Sequence, residues 1–214
     1  MEAVWTYDKL EAPFGTTIYK SMKERFGDVA SMEGVFRFAW DSSAELGKWC
    51  SDRAWKHALG DDVLPKLEGK ITKLLNSDTP KQIPNSAYKE IESIKEASEA
   101  IEHHEFNHPS VPGELSPKVQ LLRNKLEEEF GHPTESKCIV FTQKRYTAKI
   151  LHELFSTLEI PHLRPGVLVG VGSGDMAGMN ITFRQQFVAL VKFRNGEINC
   201  LVRTQRAGPA GEQF

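Results

Sequence analysis

Between Ser21 and about His108, apolar residues recur at three- and four-residue spacings, and the period of two expected of a half-buried strand is absent. Leu46, Trp49, Cys50, Arg53, Ala54 and His57 follow this spacing, which puts the apolar members on one face and predicts a helix over 42–59. Asp41, Ser42 and Ser43 carry oxygens able to cap its first amides, and Glu45 falls in its first turn. A second helix is predicted after Gly60-Asp61-Asp62, running through Val63, Leu67, Ile71 and Leu74 to about Asn76. Pro80 and Pro84 keep the next link open. A third helix is predicted over 85–106, with Tyr88, Ile91, Ile94, Ala97 and Ile101 on one face and lysines and glutamates opposite. This half of the chain reads as an all-helical block.

The pattern changes near Pro112. The proline-rich stretch from His108 to Gly113 predicts an extended interdomain linker, because proline disfavours helix in the residue before it. Beyond it, helical and strand patterns alternate. Ser116 and Pro117 supply an N-cap and first position for a helix over 118–130, which Gly131-His132-Pro133 ends. Short β-branched and aromatic runs at 137–142, 167–169 and 198–202 predict buried strands, separated by helices over 146–158 and 183–193. Consecutive strand–helix units of this kind build a parallel sheet. The fold class is therefore α/β, a parallel-sheet lobe preceded by an all-α domain, with expected boundaries 1–110 and 111–202 and a tail over 203–214.

Composition excludes several classes. With 214 residues, 40% of them hydrophobic, the chain can bury a core, and disorder throughout is not expected. Its 27 Lys and Arg are balanced by 29 Asp and Glu, so no overall basic field exists and any nucleic-acid contact must come from a local patch or neutral donors. Cys50, Cys138 and Cys200 are odd in number, far apart and in no CxxC pair, which argues against a disulfide framework or a structural zinc site and fits a reducing compartment. The first residues form no signal-peptide core, and no run of 18 apolar residues occurs, so an intracellular protein, cytoplasmic or nuclear, with no membrane partner is expected.

Particular segments carry a resemblance. Residues 114–122 (ELSPKVQLL), 138–147 (CIVFTQKRYT), 183–186 (FRQQ) and 192–201 (KFRNGEINCL) resemble, in order and spacing, the second helicase lobe of fungal Dicer-type proteins. Val140-Phe141-Thr142-Gln143 is similar to motif IV of superfamily 2 helicases, and Thr182 to Phe193 to the adjoining motif IVa region, both on the nucleic-acid-facing side of that lobe. Residues 44–55 (AELGKWCSDRAW) resemble the helical insertion that Dicers carry between their two RecA-like lobes. The likeness implies a partial RecA-like lobe from an ATP-dependent helicase and RNase III endoribonuclease of RNA silencing and antiviral defence. It also implies double-stranded RNA and the first RecA-like lobe as partners, and ATP and magnesium as cofactors of the intact enzyme.

Physical chemistry agrees with that placement, because binding groups in open α/β sheets collect past the carboxyl ends of the strands. Thr142, Gln143, Lys144 and Arg145 hold that position after the first strand. A hydroxyl, an amide and two cations can satisfy phosphate oxygens and sugar hydroxyls without reading bases. Thr182, Arg184 and Gln185 extend the set at the start of the next helix, where free backbone amides also favour phosphate. Surface cations are common, so placement rather than residue type distinguishes this group.

Other motifs are assigned blander roles. Trp49, Arg53 and Trp55, at helical spacing, read as packing anchors rather than base-stacking platforms. His103, His104 and His108 lack a second ligand cluster, and no metal is assigned. Gly170 to Gly174 imitates a phosphate-binding loop, but Asp175 stands where the third glycine of GxGxxG belongs. Neither the GxxxxGK[ST] loop nor the acidic strand that phosphoryl transfer requires occurs here, and paired acidic RNase III clusters are absent. No catalytic residue and no cofactor site are therefore assigned, and the chain alone is expected to be inactive. From Arg203 the sequence departs from the ATSVAEEGLD form that would follow in the family, as a truncation or shifted reading frame would produce, and the tail is expected to be poorly ordered. The alternatives are a stand-alone RNA-binding or protein-interaction module, and another superfamily 2 RNA helicase, against which the helical insertion argues.

Overall fold

A computed structural model of the chain describes residues 16–29, 32–59, 85–169 and 183–204. These fall in two compact units, a helical one reaching Ser116 and an α/β one starting at Pro117. The helical unit thus extends past the boundary expected at 110. The predicted helix over 63–76, the Gly170–Gly174 loop, Thr182 and residues 205–214 lie outside the described residues.

In the helical unit, α1 (Thr17–Phe26) starts at Thr16, whose Oγ1 accepts the Tyr19 amide at 3.1 Å. It buries Ile18, Tyr19, Met22 and Phe26. The single helix expected over 42–59 is two, α2 (Glu33–Leu46) and α3 (Lys48–Leu59), broken at Gly47. The expected caps Ser42 and Ser43 lie inside α2 and are buried, because the helix starts earlier to bury Val35, Phe38, Ala39 and Trp40. Tyr19, Phe36 and Trp55 pack edge to face, with ring centroids 5.2–6.1 Å apart. Trp49 and Trp55 are 1% and 0% exposed, the anchoring role expected of them. α4 (Asn85–Glu102) buries Ile94, Ala97 and Ile101, while Tyr88 is exposed. Ser98 Oγ donates to the Leu59 carbonyl at 2.7 Å, tying α4 to the end of α3. The helix ends short of 106, and Arg53 stands over both the Phe106 and Trp49 rings, 4.6 and 5.0 Å from their centroids.

The stretch expected to be an extended linker is instead turned back on the helical unit. The His108 carbonyl accepts the Val111 amide at 3.1 Å, and the Val111 carbonyl accepts the Glu114 amide at 3.2 Å. Residues 114–116 then run beside the α2–α3 break: Trp49 N donates to Glu114 O at 3.0 Å and Ser116 N to Leu46 O at 2.9 Å. Ser116 Oγ adds a bond to Glu45 O at 3.0 Å. Gly47, at φ 107°, makes this approach possible, since a Cβ there would lie 2.5–2.7 Å from backbone atoms of residues 114–116. Gly47→Ala is expected to cost about 2 kcal/mol or more through backbone strain and clash together, read as a fall in the thermal midpoint of the helical unit.

Asp52 in α3 is 8% exposed, and burial pushes its carboxyl up from 3.8 to about 6, despite a hydrogen bond from Thr16 and with Glu114 adding to the rise. The folded state therefore binds this proton more tightly than the unfolded state. Its stabilising contribution is present below 3.8 and lost as pH rises through about 6. Asp52→Asn is expected to flatten that pH dependence and to stabilise the unit at neutral pH, by on the order of 3 kcal/mol at most, in denaturation curves measured across this window.

The α/β unit contains α5 (Pro117–Phe130), β1 (Cys138–Thr142), α6 (Arg145–Thr157), β2 (Pro165–Leu168), α7 (Phe183–Arg194) and β3 (Cys200–Thr204). Its strands form a parallel sheet in the order β1-β3-β2, with Cys138 opposite Cys200 and Pro165 opposite the same residue on the other side. The β1-to-β2 and β2-to-β3 crossovers run in opposite directions, so right-handed connections put α6 and α7 on opposite faces. α6 buries Ala148, Ile150, Leu151, Leu154 and Phe155 beneath the sheet. Asn199 clamps the other end: its Oδ1 accepts the Arg164 amide at 2.7 Å and its Nδ2 donates to His162 O at 2.8 Å. Two strand expectations need correcting. β1 is not buried on both faces, since Ile139 and Phe141 are 42% and 60% exposed where α7, which packs on β2, leaves that face open. β3 runs to Thr204, so Arg203 and Thr204, placed in the tail by the sequence reading, complete the strand because they pair with Phe141 and Thr142.

Candidate nucleic-acid interface

In a parallel sheet every strand points the same way, so the return helices start at its carboxyl edge. The described members of both predicted groups stand there. β1 ends in Thr142, and α6 begins at Arg145 after a two-residue turn. α7 runs back along the strands, and its last carbonyl, at Arg194, accepts a bond of 3.0 Å from Lys137 Nζ just before β1. Its first turn, with Arg184 and Gln185, therefore lies towards the carboxyl edge. The two segments share that edge from opposite faces of the sheet.

Their side chains differ in availability. Thr142 is buried, and its hydroxyl lies 3.2 Å from the Lys144 carbonyl and 3.4 Å from the Arg203 carbonyl. Its proton is shared inward, so Thr142 holds the turn against β3. Gln143 is exposed, and Lys144 and Arg145 are half-buried. Lys144 occupies the N-cap position of α6 in extended conformation, its Nζ 5.4 Å from the Tyr146 ring centroid. Lysine offers no side-chain acceptor, and Lys144 makes no side-chain cap bond to the start of α6. Such a helix start favours an anion. Arg184 and Gln185 are exposed.

Sequence reasoning missed a neighbour of this group. Arg203 lies with its guanidinium carbon 5.5 Å from the centroid of the exposed Phe141 ring, at the same edge. The signal was present in the register, since a strand beginning at Cys200 pairs Arg203 with Phe141. α7, β2 and His152 of α6 also border a groove of about 330 Å³, with apolar walls from Pro165, Val167 and Val188 and with Arg184 and Lys192 along it. Burial holds the His152 imidazole below its usual range, against the opposing effects of Glu153 and a bond to the Pro165 carbonyl.

The histidines considered for metal binding are engaged locally: His103 Nδ1 is 2.7 Å from Glu99 O, and His108 Nδ1 accepts the Ser110 amide at 3.3 Å. His104 stacks edge to face on Phe106, and burial lowers its pKa.

Together these features define a class, an all-helical unit followed by a partial RecA-like parallel-sheet lobe with cations at its carboxyl edge. The relatives sharpen it. Over 207 residues the chain is 64% identical to Dicer-like protein 1 of Aspergillus niger, a match covering 97% of this chain and 14% of that protein. It is 34% identical over 210 residues to Dicer-like protein 1 of Phaeosphaeria nodorum, covering 96% of this chain and again 14% of the relative. The Dicer resemblance read from the motifs thus holds along nearly the whole chain, which spans about one seventh of the length of these relatives. No protein-family model matches. The crystal structure of the Pyrococcus furiosus Hef helicase domain aligns with a TM-score of 0.37 at 22% identity, over 81% of this chain and 29% of that one.

Proposed function

We propose that this chain is the helical insertion and part of the second lobe of a Dicer-like, ATP-dependent RNA helicase and endoribonuclease of RNA silencing, and that it contributes contacts to double-stranded RNA. In the intact enzyme the first RecA-like lobe would supply the ATP and magnesium sites, and distant RNase III domains the cleavage. The observation that carries the reading is the placement of Gln143, Lys144, Arg145, Arg184 and Gln185 at the carboxyl edge of the parallel sheet, at the starts of the two helices that return from it. These groups suit phosphate and ribose, and they read no base edges, as a track that must accept any sequence requires. Thr142 supports them by fixing the turn. Titration of the chain with a double-stranded RNA at several salt concentrations tests this. Three cations engaging phosphates predict a slope of log K against log salt of about −2 to −3. A slope near zero, or no binding at low salt, contradicts the proposal.

A further inference from the structure

Cys138 and Cys200, 62 residues apart in sequence, are direct partners in the β1–β3 register, so their side chains leave the same face of adjacent strands. The Cys138 amide also donates to the Asn199 carbonyl at 2.8 Å, fixing the two strand starts side by side. Both are free thiols. Adjacent strands are about 4.8 Å apart, inside the Cα separation of roughly 4.4–6.8 Å that a disulfide spans. We infer that Cys138 and Cys200 are a redox pair, which a peroxide converts to a reversible cross-strand disulfide fastening β1 to β3.

The chemistry assigns the two sulfurs different roles. Cys138 is half-buried where Cys200 is fully buried, so it is the sulfur a peroxide reaches first, and the neighbouring Cys200 thiol holds its pKa below the usual thiol range against the opposing effects of burial and Glu129. For Cys200, the neighbouring Cys138 sulfur together with burial pushes the thiol up. Cys138 thiolate therefore attacks hydrogen peroxide first: an S–O bond forms, the O–O bond breaks, and the departing hydroxide takes up a proton as water. The resulting sulfenic acid is then attacked by the Cys200 sulfur, the S–O bond breaks, the S–S bond forms, and a second water leaves with the Cys200 proton. Two thiols lose two electrons, and one peroxide becomes two waters. β1 pairs with β3 alone among the described residues, so the bond would fasten a strand otherwise held from one side. Attack on this bond by an external dithiol restores the open form.

The 214-residue chain, treated with stoichiometric hydrogen peroxide and digested with trypsin, tests this. The expected product links the peptides 138–144 and 195–203, disappears with dithiothreitol, and leaves Cys50 a free thiol. In Cys200→Ser, a sulfenic acid is expected at Cys138, trapped by dimedone. In Cys138→Ser, Cys200 is expected to stay reduced and unlabelled. A linkage to Cys50 or between two chains, a dimedone adduct on Cys200, or three intact thiols after peroxide treatment overturns the proposal.

Discussion

Trp55→Ala is expected to unfold the helical unit near physiological temperature. The indole is fully buried, packs against Tyr19 and Phe36 with centroids 6.1 and 5.2 Å away, and its Nε1 has no hydrogen-bond partner among the described residues. The whole ring therefore acts as apolar volume. Truncating such a side chain costs about 3–5 kcal/mol in transfer and cavity terms. That is comparable with the total stability of many domains, about 5–15 kcal/mol. For a chain of this length it corresponds to a fall of roughly 10 °C in thermal midpoint. Circular dichroism at 222 nm against temperature reads the effect, and a midpoint unchanged within error would show that the aromatic cluster does not hold the unit together.

The second large effect concerns RNA. Lys144→Ala, Arg145→Ala and Arg184→Ala combined are expected to weaken binding of double-stranded RNA on the order of a hundredfold at low salt. Each charge-assisted phosphate contact is taken as about 1 kcal/mol after solvent screening. The salt slope should fall in parallel, by about 0.9 for each phosphate contact removed. The loss should be the same for RNAs of different sequence, because the lost contacts touch backbone and not bases. An unchanged thermal midpoint keeps the result separate from unfolding. A variant that binds as well as the parent would place the RNA contacts elsewhere.

Much of the α/β unit was legible in advance because its signals are local. The helices over 117–130, 145–157 and 183–194 follow from periodicity and from Pro117 at a helix start, and the strand over 138–142 from a short apolar run. What local pattern did not carry depends on distant partners. Gly47 breaks a continuous helical pattern because residues 114–116 must pass against it, and nothing near position 47 encodes that approach. An apolar run such as Cys138-Ile139-Val140-Phe141 announces a strand but not which face is covered, and here Ile139 and Phe141 remain open. The prolines of 108–113 promised extension, yet the carbonyls of His108 and Val111 close turns. The cysteines looked too far apart to matter together, and only strand register reveals Cys138 beside Cys200. For the candidate site, the sequence named the residues of the β1–α6 turn and of the α7 start. The inward commitment of the Thr142 hydroxyl and the place of Arg203 against Phe141 emerged from the sheet.

Cross-linking the chain to a uniformly labelled double-stranded RNA, followed by mapping of the modified peptides, addresses the RNA-binding edge most directly. Adducts are expected to concentrate on the peptides that hold residues 143–145 and 184–185, and to be lost in high salt and in the triple variant. Adducts confined to the helical unit, or spread evenly over surface lysines, would contradict it.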